Sequence, residues 1–199
     1  MKDTTTNKRA AFDWYQDPPE AIEALLTAER FAGSSWDPCC GIGTIPKAMI
    51  AAGYRCFGTD VTYRGYVGLN QYAPMNFLSD EAIPEDIDNV ICNPPFKDPT
   101  LYVDRALAIA RHKVACLLPL AFLEGEKRAR WRIRTPLARI RTFSWRINMP
   151  PGELLQSGAV EAKGGTKAFA WFIWEHGWVG PAHEIPLIRP GKFDQKEAA

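Results

Sequence analysis

Apolar positions alternate between two spacings along the chain. Ile22, Leu25, Leu26 and Glu29 recur at helical intervals after Asp17-Pro18, which reads as an N-cap followed by a first helical proline, and Gly33 is the stop. Ser35 to Cys40 reads as a short strand entering Gly41-Ile42-Gly43, followed by a helix from Thr44 to Ala52 that ends at Gly53. Arg55 to Val61 is a second strand, Met75 to Leu78 a weak third, and Asn89 to Cys92 a short apolar fourth. Asp98-Pro99 opens a helix with an apolar stripe of Val103, Ala106, Leu107 and Ala110. Lys113 to Leu118 is a fifth strand, and Glu124 to Ile140 a basic helical segment interrupted at Pro136. Arg141 to Ile147 and Ala168 to Trp174 read as strands from their aromatic and β-branched content, with residues 148–167 as a long loop between them.

Strands alternating with helices predict a Rossmann-like α/β domain, a mostly parallel seven-stranded sheet with helices on both faces. Two final strands with no helix between them make the last one antiparallel. The expected domain spans 14–189, between a polar N-terminus at 1–13 and a polar tail at 190–199. Ligands of such sheets sit beyond the carboxyl ends of the strands.

Composition narrows the class. Lys and Arg number 24 against 23 Asp and Glu, so no global field favours a polyanion. The five cysteines include no C-x-x-C pair, which disfavours a disulfide framework and a structural zinc site, and suits a reducing cytoplasm. No metal site is expected: His112, His176 and His183 are scattered. Val114 to Leu123, the longest apolar stretch, is about half the length of a membrane helix. A cytoplasmic, membrane-independent protein is expected. Trp171 and Trp174 fit alternating strand positions and read as packing residues.

Three unusual segments fall at predicted strand ends. In Asp37-Pro38-Cys39-Cys40-Gly41-Ile42-Gly43, the two glycines permit a sharp turn and close approach of a ligand to the main chain. Such turns also occur for structural reasons alone. Asp60 follows roughly 20 residues later, a spacing that lets a carboxylate grip both hydroxyls of a ribose. The residue three after Gly43 is Pro46 rather than glycine, so a ligand carrying an amino-acid carboxylate fits better than a pyrophosphate. Asn93-Pro94-Pro95-Phe96 is a stiff turn rich in acceptors. The Asn93 side-chain oxygen and the Pro94 carbonyl suit an exocyclic NH2 on a planar ring, with Phe96 stacked on that ring.

Together these segments resemble the class I S-adenosylmethionine-dependent methyltransferases with an N-P-P-[YF] motif, above all the small phage- and prophage-type N6-adenine DNA methyltransferases. The resemblance covers roughly Trp14 to Trp174. It implies S-adenosylmethionine as cofactor, bound by Tyr15, Pro18, Asp37, Cys39, Gly41, Gly43, Asp60, Asn76 and Phe77, and catalysis at Asn93, Pro94, Pro95 and Phe96. Tyr15-Gln16-Asp17-Pro18 matches the N-terminal segment that closes over the methionine end. The family usually has Asp-Phe where this chain has Asn76-Phe77, with Asp80 as the substitute acid, and the separate target-recognition domain of restriction-type relatives is lacking.

The implied reaction is direct methyl transfer to the N6 amine of adenine in DNA, with the base flipped from the helix. A cysteine-nucleophile route is disfavoured, because Cys92 precedes Asn93 and reads as a small buried residue. The same motif also serves base amines of RNA and the glutamine amide of protein release factors, although residues 1–34 are short for the helical domain of the latter. A non-catalytic nucleic-acid-binding module is the contrasting reading. Eight cations fall within the 23 residues from Glu124: Lys127, Arg128, Arg130, Arg132, Arg134, Arg139, Arg141 and Arg146. They read either as a solvated face or as a phosphate-contacting surface, with DNA preferred over RNA, to which Lys97 could add. Lys163 and Lys167 sit in the long loop.

Overall fold

The computed structural model describes residues 14–66, 74–79, 83–150, 152 and 167–189. The elements run α1 (Pro19–Ala28), β1 (Ser34–Asp37), α2 (Thr44–Ala51), β2 (Arg55–Gly58), β3 (Asn89–Cys92), α3 (Pro99–Ile109), β4 (Lys113–Pro119), a 3₁₀ turn (Leu120–Leu123), α4 (Glu126–Arg132), β5 (Leu137–Phe143), β6 (Phe169–Glu175) and β7 (His183–Leu187). They build one seven-stranded sheet of order β2-β1-β3-β4-β6-β5-β7. β6 runs antiparallel to both β4 and β5, and every other pairing is parallel. It is the last strand that the sequence pattern predicts.

Alternation along the strands divides the core between the two faces. Ala115, Leu117, Trp171 and Ile173 pack with Ile22 and Leu25 of α1 and with Ile45 and Met49 of α2. Val114, Cys116, Leu118, Phe172 and Trp174 pack with Val103 and Ala106 of α3 and with Trp131 of α4. Both tryptophans expected in the core are fully buried, and each donates its indole N–H inward, Trp171 to the Ala21 carbonyl (2.9 Å) and Trp174 to Thr135 Oγ1 (2.9 Å). Cys92 and Cys116 lie side by side within the core, 3.7 Å apart.

Several expected elements shift. Residues 75–78 form a turn instead of a third strand, because Asn76 Oδ1 accepts the Leu78 N–H (3.1 Å) and closes the chain locally. The seventh strand is β7, whose polar residues and Pro186 hid it; both are tolerated where a strand pairs on one side only, here with β5. The basic helix ends at Arg132, and β5 begins at Leu137, directly after Pro136, so residues 137–140 are strand and not helix. β1 and β2 stop at Asp37 and Gly58, releasing the following residues into the turns of the site.

A buried ion cluster ties α1 to the sheet at the opposite end from those turns. Glu29, just past α1, meets Arg139 (2.7 Å), Arg141 (2.8 Å) and Lys113 (3.2 Å). Burial alone would raise the Glu29 carboxyl, but hydrogen bonds from Arg139 and Arg141 outweigh it and hold the pKa below its usual value. Two of the eight clustered cations are thus structural. Among the described residues, no helix is long and apolar enough to cross a membrane.

Candidate active site

The three chemistry-bearing segments converge at the carboxyl ends of β1, β2 and β3. Asp37 ends β1 fully buried, and its Oδ1 accepts the Cys39 N–H (3.0 Å). Asp60, beyond β2, accepts the Gly41 N–H on Oδ2 (2.9 Å) and the Thr62 N–H on Oδ1 (2.9 Å), bridging the glycine turn and its own loop. Arg64 Nε stands 3.8 Å from Asp60, and its guanidinium lies 4.2 Å from the centre of the Trp14 ring.

Gly41 and Gly43 take left-handed φ values of 52° and 79°, which explains the residue type. The space beside them is filled by the protein itself. A Cβ on Gly43 would lie 2.0 Å from the Tyr66 ring, and one on Gly41 would lie 2.9 Å from the Trp14 indole nitrogen. The expected open approach to this main chain is therefore covered by two aromatic rings.

Asp17 departs furthest from expectation. Pro18, not Asp17, is the N-cap of α1, with Pro19 at the first helical position. A cap at Asp17 would have placed prolines, which lack N–H, at both following positions. The carboxyl group instead turns inward and is 6% exposed. Burial raises its pKa to about 7, the neighbouring Asn93 amide opposes the rise, and the Asp60 charge adds to it. Asp37 is driven well above the usual carboxylate range by burial and then by the charges of Asp17 and Asp60. Among the described residues, Asp17 Oδ1, Asp37 Oδ2 and Asn93 Oδ1 are buried without a hydrogen-bond partner. Two neighbouring carboxyls and an amide with orphaned oxygens favour a ligand that brings positive charge and N–H donors.

A cavity of about 630 Å³ opens beside this group. Tyr15, Cys39, Asp60, Asn76, Phe77, Asn93, Pro95 and Lys97 of the expected residues line it. Pro18, Asp37, Gly41, Gly43, Pro94 and Phe96 do not. The Phe96 ring stacks on Tyr15 at 5.3 Å and tilts against Phe169 at 5.8 Å, so Tyr15 is the member of that pair on the wall. Trp14, Arg64, Leu101 and Tyr102 also line the cavity, and no sequence motif announced them. Asp80 and Lys163 lie outside the described residues.

The expected basic surface divides. Arg128 and Arg132 donate to the Ala121 (3.0 Å) and Leu123 (3.1 Å) carbonyls of the 3₁₀ turn, and Arg128 also covers the Phe122 ring. Lys127, Arg130 and Arg134 are exposed; Arg130 faces Glu126 at 3.6 Å, and Arg134 donates to the Arg130 carbonyl.

Neither a family model nor a curated protein matches the sequence. Solved structures match in shape. A protein from Vibrio vulnificus YJ016 described as the modification subunit of a type I restriction enzyme superposes at TM-score 0.59 with 12% identity, over 94% of this chain and 49% of that one. A protein from Pyrococcus horikoshii described as an RNA methyltransferase gives 0.60 with 14% identity, over 82% and 87%. The E. cuniculi Mtq2–Trm112 complex, responsible for methylation of the termination factor eRF1, gives 0.51 with 18% identity, over 82% and 98%. The chain thus spans about half the length of the Vibrio protein. What these structures share with it is the Rossmann-like methyltransferase fold.

Proposed function

We propose that the chain is an S-adenosylmethionine-dependent N-methyltransferase acting on an exocyclic base amine of nucleic acid, with the N6 amine of adenine in DNA as the preferred substrate. One observation carries this reading: the orphaned Asn93 oxygen of a stiff Asn-Pro-Pro corner stands beside buried carboxyls that favour a cationic ligand. The residues fit the cofactor. Asp37 and Asp17 offer unpartnered oxygens to its positive charges, Asp60 offers a carboxylate to its ribose, and Phe77, Leu101 and Tyr102 give an apolar wall to its adenine. S-adenosylmethionine supplies a methyl group already activated as a sulfonium, so no strong base is needed.

The protein's part is alignment and electrostatics. Asn93 Oδ1 and the Pro94 carbonyl accept the two amine hydrogens and turn the nitrogen lone pair toward the donor. Tyr15, backed by Phe96, supports the face of the base. Taking an adenine out of duplex DNA costs a few kcal/mol, to be offset by phosphate contacts. Because Arg128, Arg132 and Arg134 already hold carbonyls, that role falls chiefly to Lys97, Lys127 and Arg130.

A protein amide is the second reading, supported by the likeness to Mtq2, of which 98% is covered. Labelled methyl transfer to unmethylated DNA, to RNA and to a protein extract separates the substrates. Label in DNA adenine that disappears with Asn93→Ala is the expected result. Label confined to RNA or protein would overturn the substrate assignment, and label in none would overturn the activity.

A further inference from the structure

We propose that Arg64 binds the carboxylate at the amino-acid end of the methyl donor, so that the site selects a zwitterion and not merely a cation. The identity of the donor rests on the reading above, whereas the case for Arg64 rests on where its side chain stands.

Arg64 lies in the turn after β2, on the cavity wall, with its side chain 11% exposed. Its Nε is buried without a hydrogen-bond partner among the described residues. Asp60 does not satisfy it. The two groups stand 3.8 Å apart, beyond hydrogen-bond reach, and both Asp60 oxygens already accept main-chain N–H groups, from Gly41 and Thr62 (2.9 Å each).

Trp14 positions the guanidinium instead, with its ring centre 4.2 Å away. A guanidinium held over a ring keeps its N–H fork for another partner. The ring is itself fixed. Its residue is buried, the Trp14 carbonyl accepts the Gly152 N–H (3.2 Å), and Cβ atoms on Gly41 and Gly152 would lie 2.9 and 2.5 Å from the indole. Arg64 is therefore placed before a ligand arrives, which lowers the cost of ordering it on binding.

The site thus holds unsatisfied buried groups of both polarities. Asp17 Oδ1 and Asp37 Oδ2 lack a donor, and Arg64 Nε lacks an acceptor. Each is costly to leave unpaired. An ammonium alone would satisfy only the acids. An ammonium and a carboxylate on one carbon satisfy both sets, and an arginine fork suits a carboxylate through two parallel bonds. Lys97, the other cation on the cavity wall, is exposed and stays available to a substrate phosphate.

Calorimetry on the full chain tests this by comparing S-adenosylmethionine with its decarboxylated analogue, which keeps the sulfonium, the amine and the nucleoside. The analogue carries more net positive charge, so a site that reads charge alone would prefer it. The wild type should instead bind it about tenfold to hundredfold more weakly, the scale of a lost hydrogen bond between charged groups. Arg64→Gln should lose this preference, and Arg64→Lys, which keeps the charge without the fork, should retain part of it. A disturbance of Trp14 alone would weaken both compounds alike and leave their ratio unchanged. Equal binding by the wild type, or a preference that survives Arg64→Gln, would overturn the proposal and leave the methyltransferase reading standing. A surviving preference together with a DNA salt slope lowered by about 1 would assign Arg64 to a backbone phosphate. Binding of neither compound by the wild type would refute the donor reading, and the carboxylate assignment with it.

Discussion

Buried charge at the site has a cost in stability that Asp17→Asn should recover. The Asp17 carboxyl moves from an ordinary 3.8 to about 7 on folding. At about 1.36 kcal/mol per pH unit, this burdens the unliganded fold by about 4 kcal/mol once both states are ionised. A raised pKa places the burden on the alkaline side. It is absent below about pH 4, near half its size around pH 5.5 and complete above about pH 7. Relaxation around a buried group reduces such figures, so the neutral, nearly isosteric asparagine should stabilise the unliganded protein by about 2–4 kcal/mol at pH 8. The advantage should fade as the pH falls. Urea unfolding of the two proteins at a series of pH values measures this directly. Equal stability at pH 8, or an advantage independent of pH, would show that Asp17 is not held at a cost, and the account of the carboxyl cluster would fail.

Other expectations are independent of that one. Glu29→Ala should destabilise by about 3–5 kcal/mol, because Arg139 and Arg141 lose their shared partner; since the Glu29 carboxyl sits below its usual pKa, the wild-type advantage in urea melts should be full near neutrality and lost on acidification through that lowered pKa. Gly43→Ala should cost at least about 2 kcal/mol, through its left-handed backbone and the Tyr66 ring, and part of that should return in a Tyr66→Ala background in thermal melts. Asp60→Ala should weaken S-adenosylmethionine binding by about 1.5–3 kcal/mol in calorimetry, and unchanged affinity would remove the ribose assignment. Neutralising Lys127 and Arg130 together should lower the salt slope of DNA binding by about 2, and an unaltered slope would return α4 to a plain solvated face.

Much of this architecture was legible because burial on both faces leaves a strong imprint. The strands Asn89–Cys92, Lys113–Pro119 and Phe169–Glu175 are apolar along nearly their whole length, so their pattern could hardly mean anything else. The edge was harder to read. Asn76 had a local hydrogen bond to make, and β7, carrying a proline and charged residues, lacks an apolar signature. Within the site, Cys39, Asp60, Asn93 and Pro95 follow the ends of β1, β2 and β3, as their motif spacing implies, whereas Asn76 and Phe77 reach the same cavity from a turn. Asp17 was misread for a physical reason that was present in the sequence. Its second proline removes the N–H of the second helical position, one of the two a cap there could use, and the carboxyl turns inward instead. Trp14 and Tyr66 could not be found this way, because contact with a glycine's bare face depends on where distant loops lie.

A structure of the protein with S-adenosylmethionine bound tests the central claim most directly. The donor should occupy the cavity at the ends of β1–β3, with its ribose on Asp60, its cationic groups toward Asp17 and Asp37, and its methyl carbon facing Asn93 Oδ1. Density for the donor in another place, or a methyl group directed away from Asn93, would contradict the account.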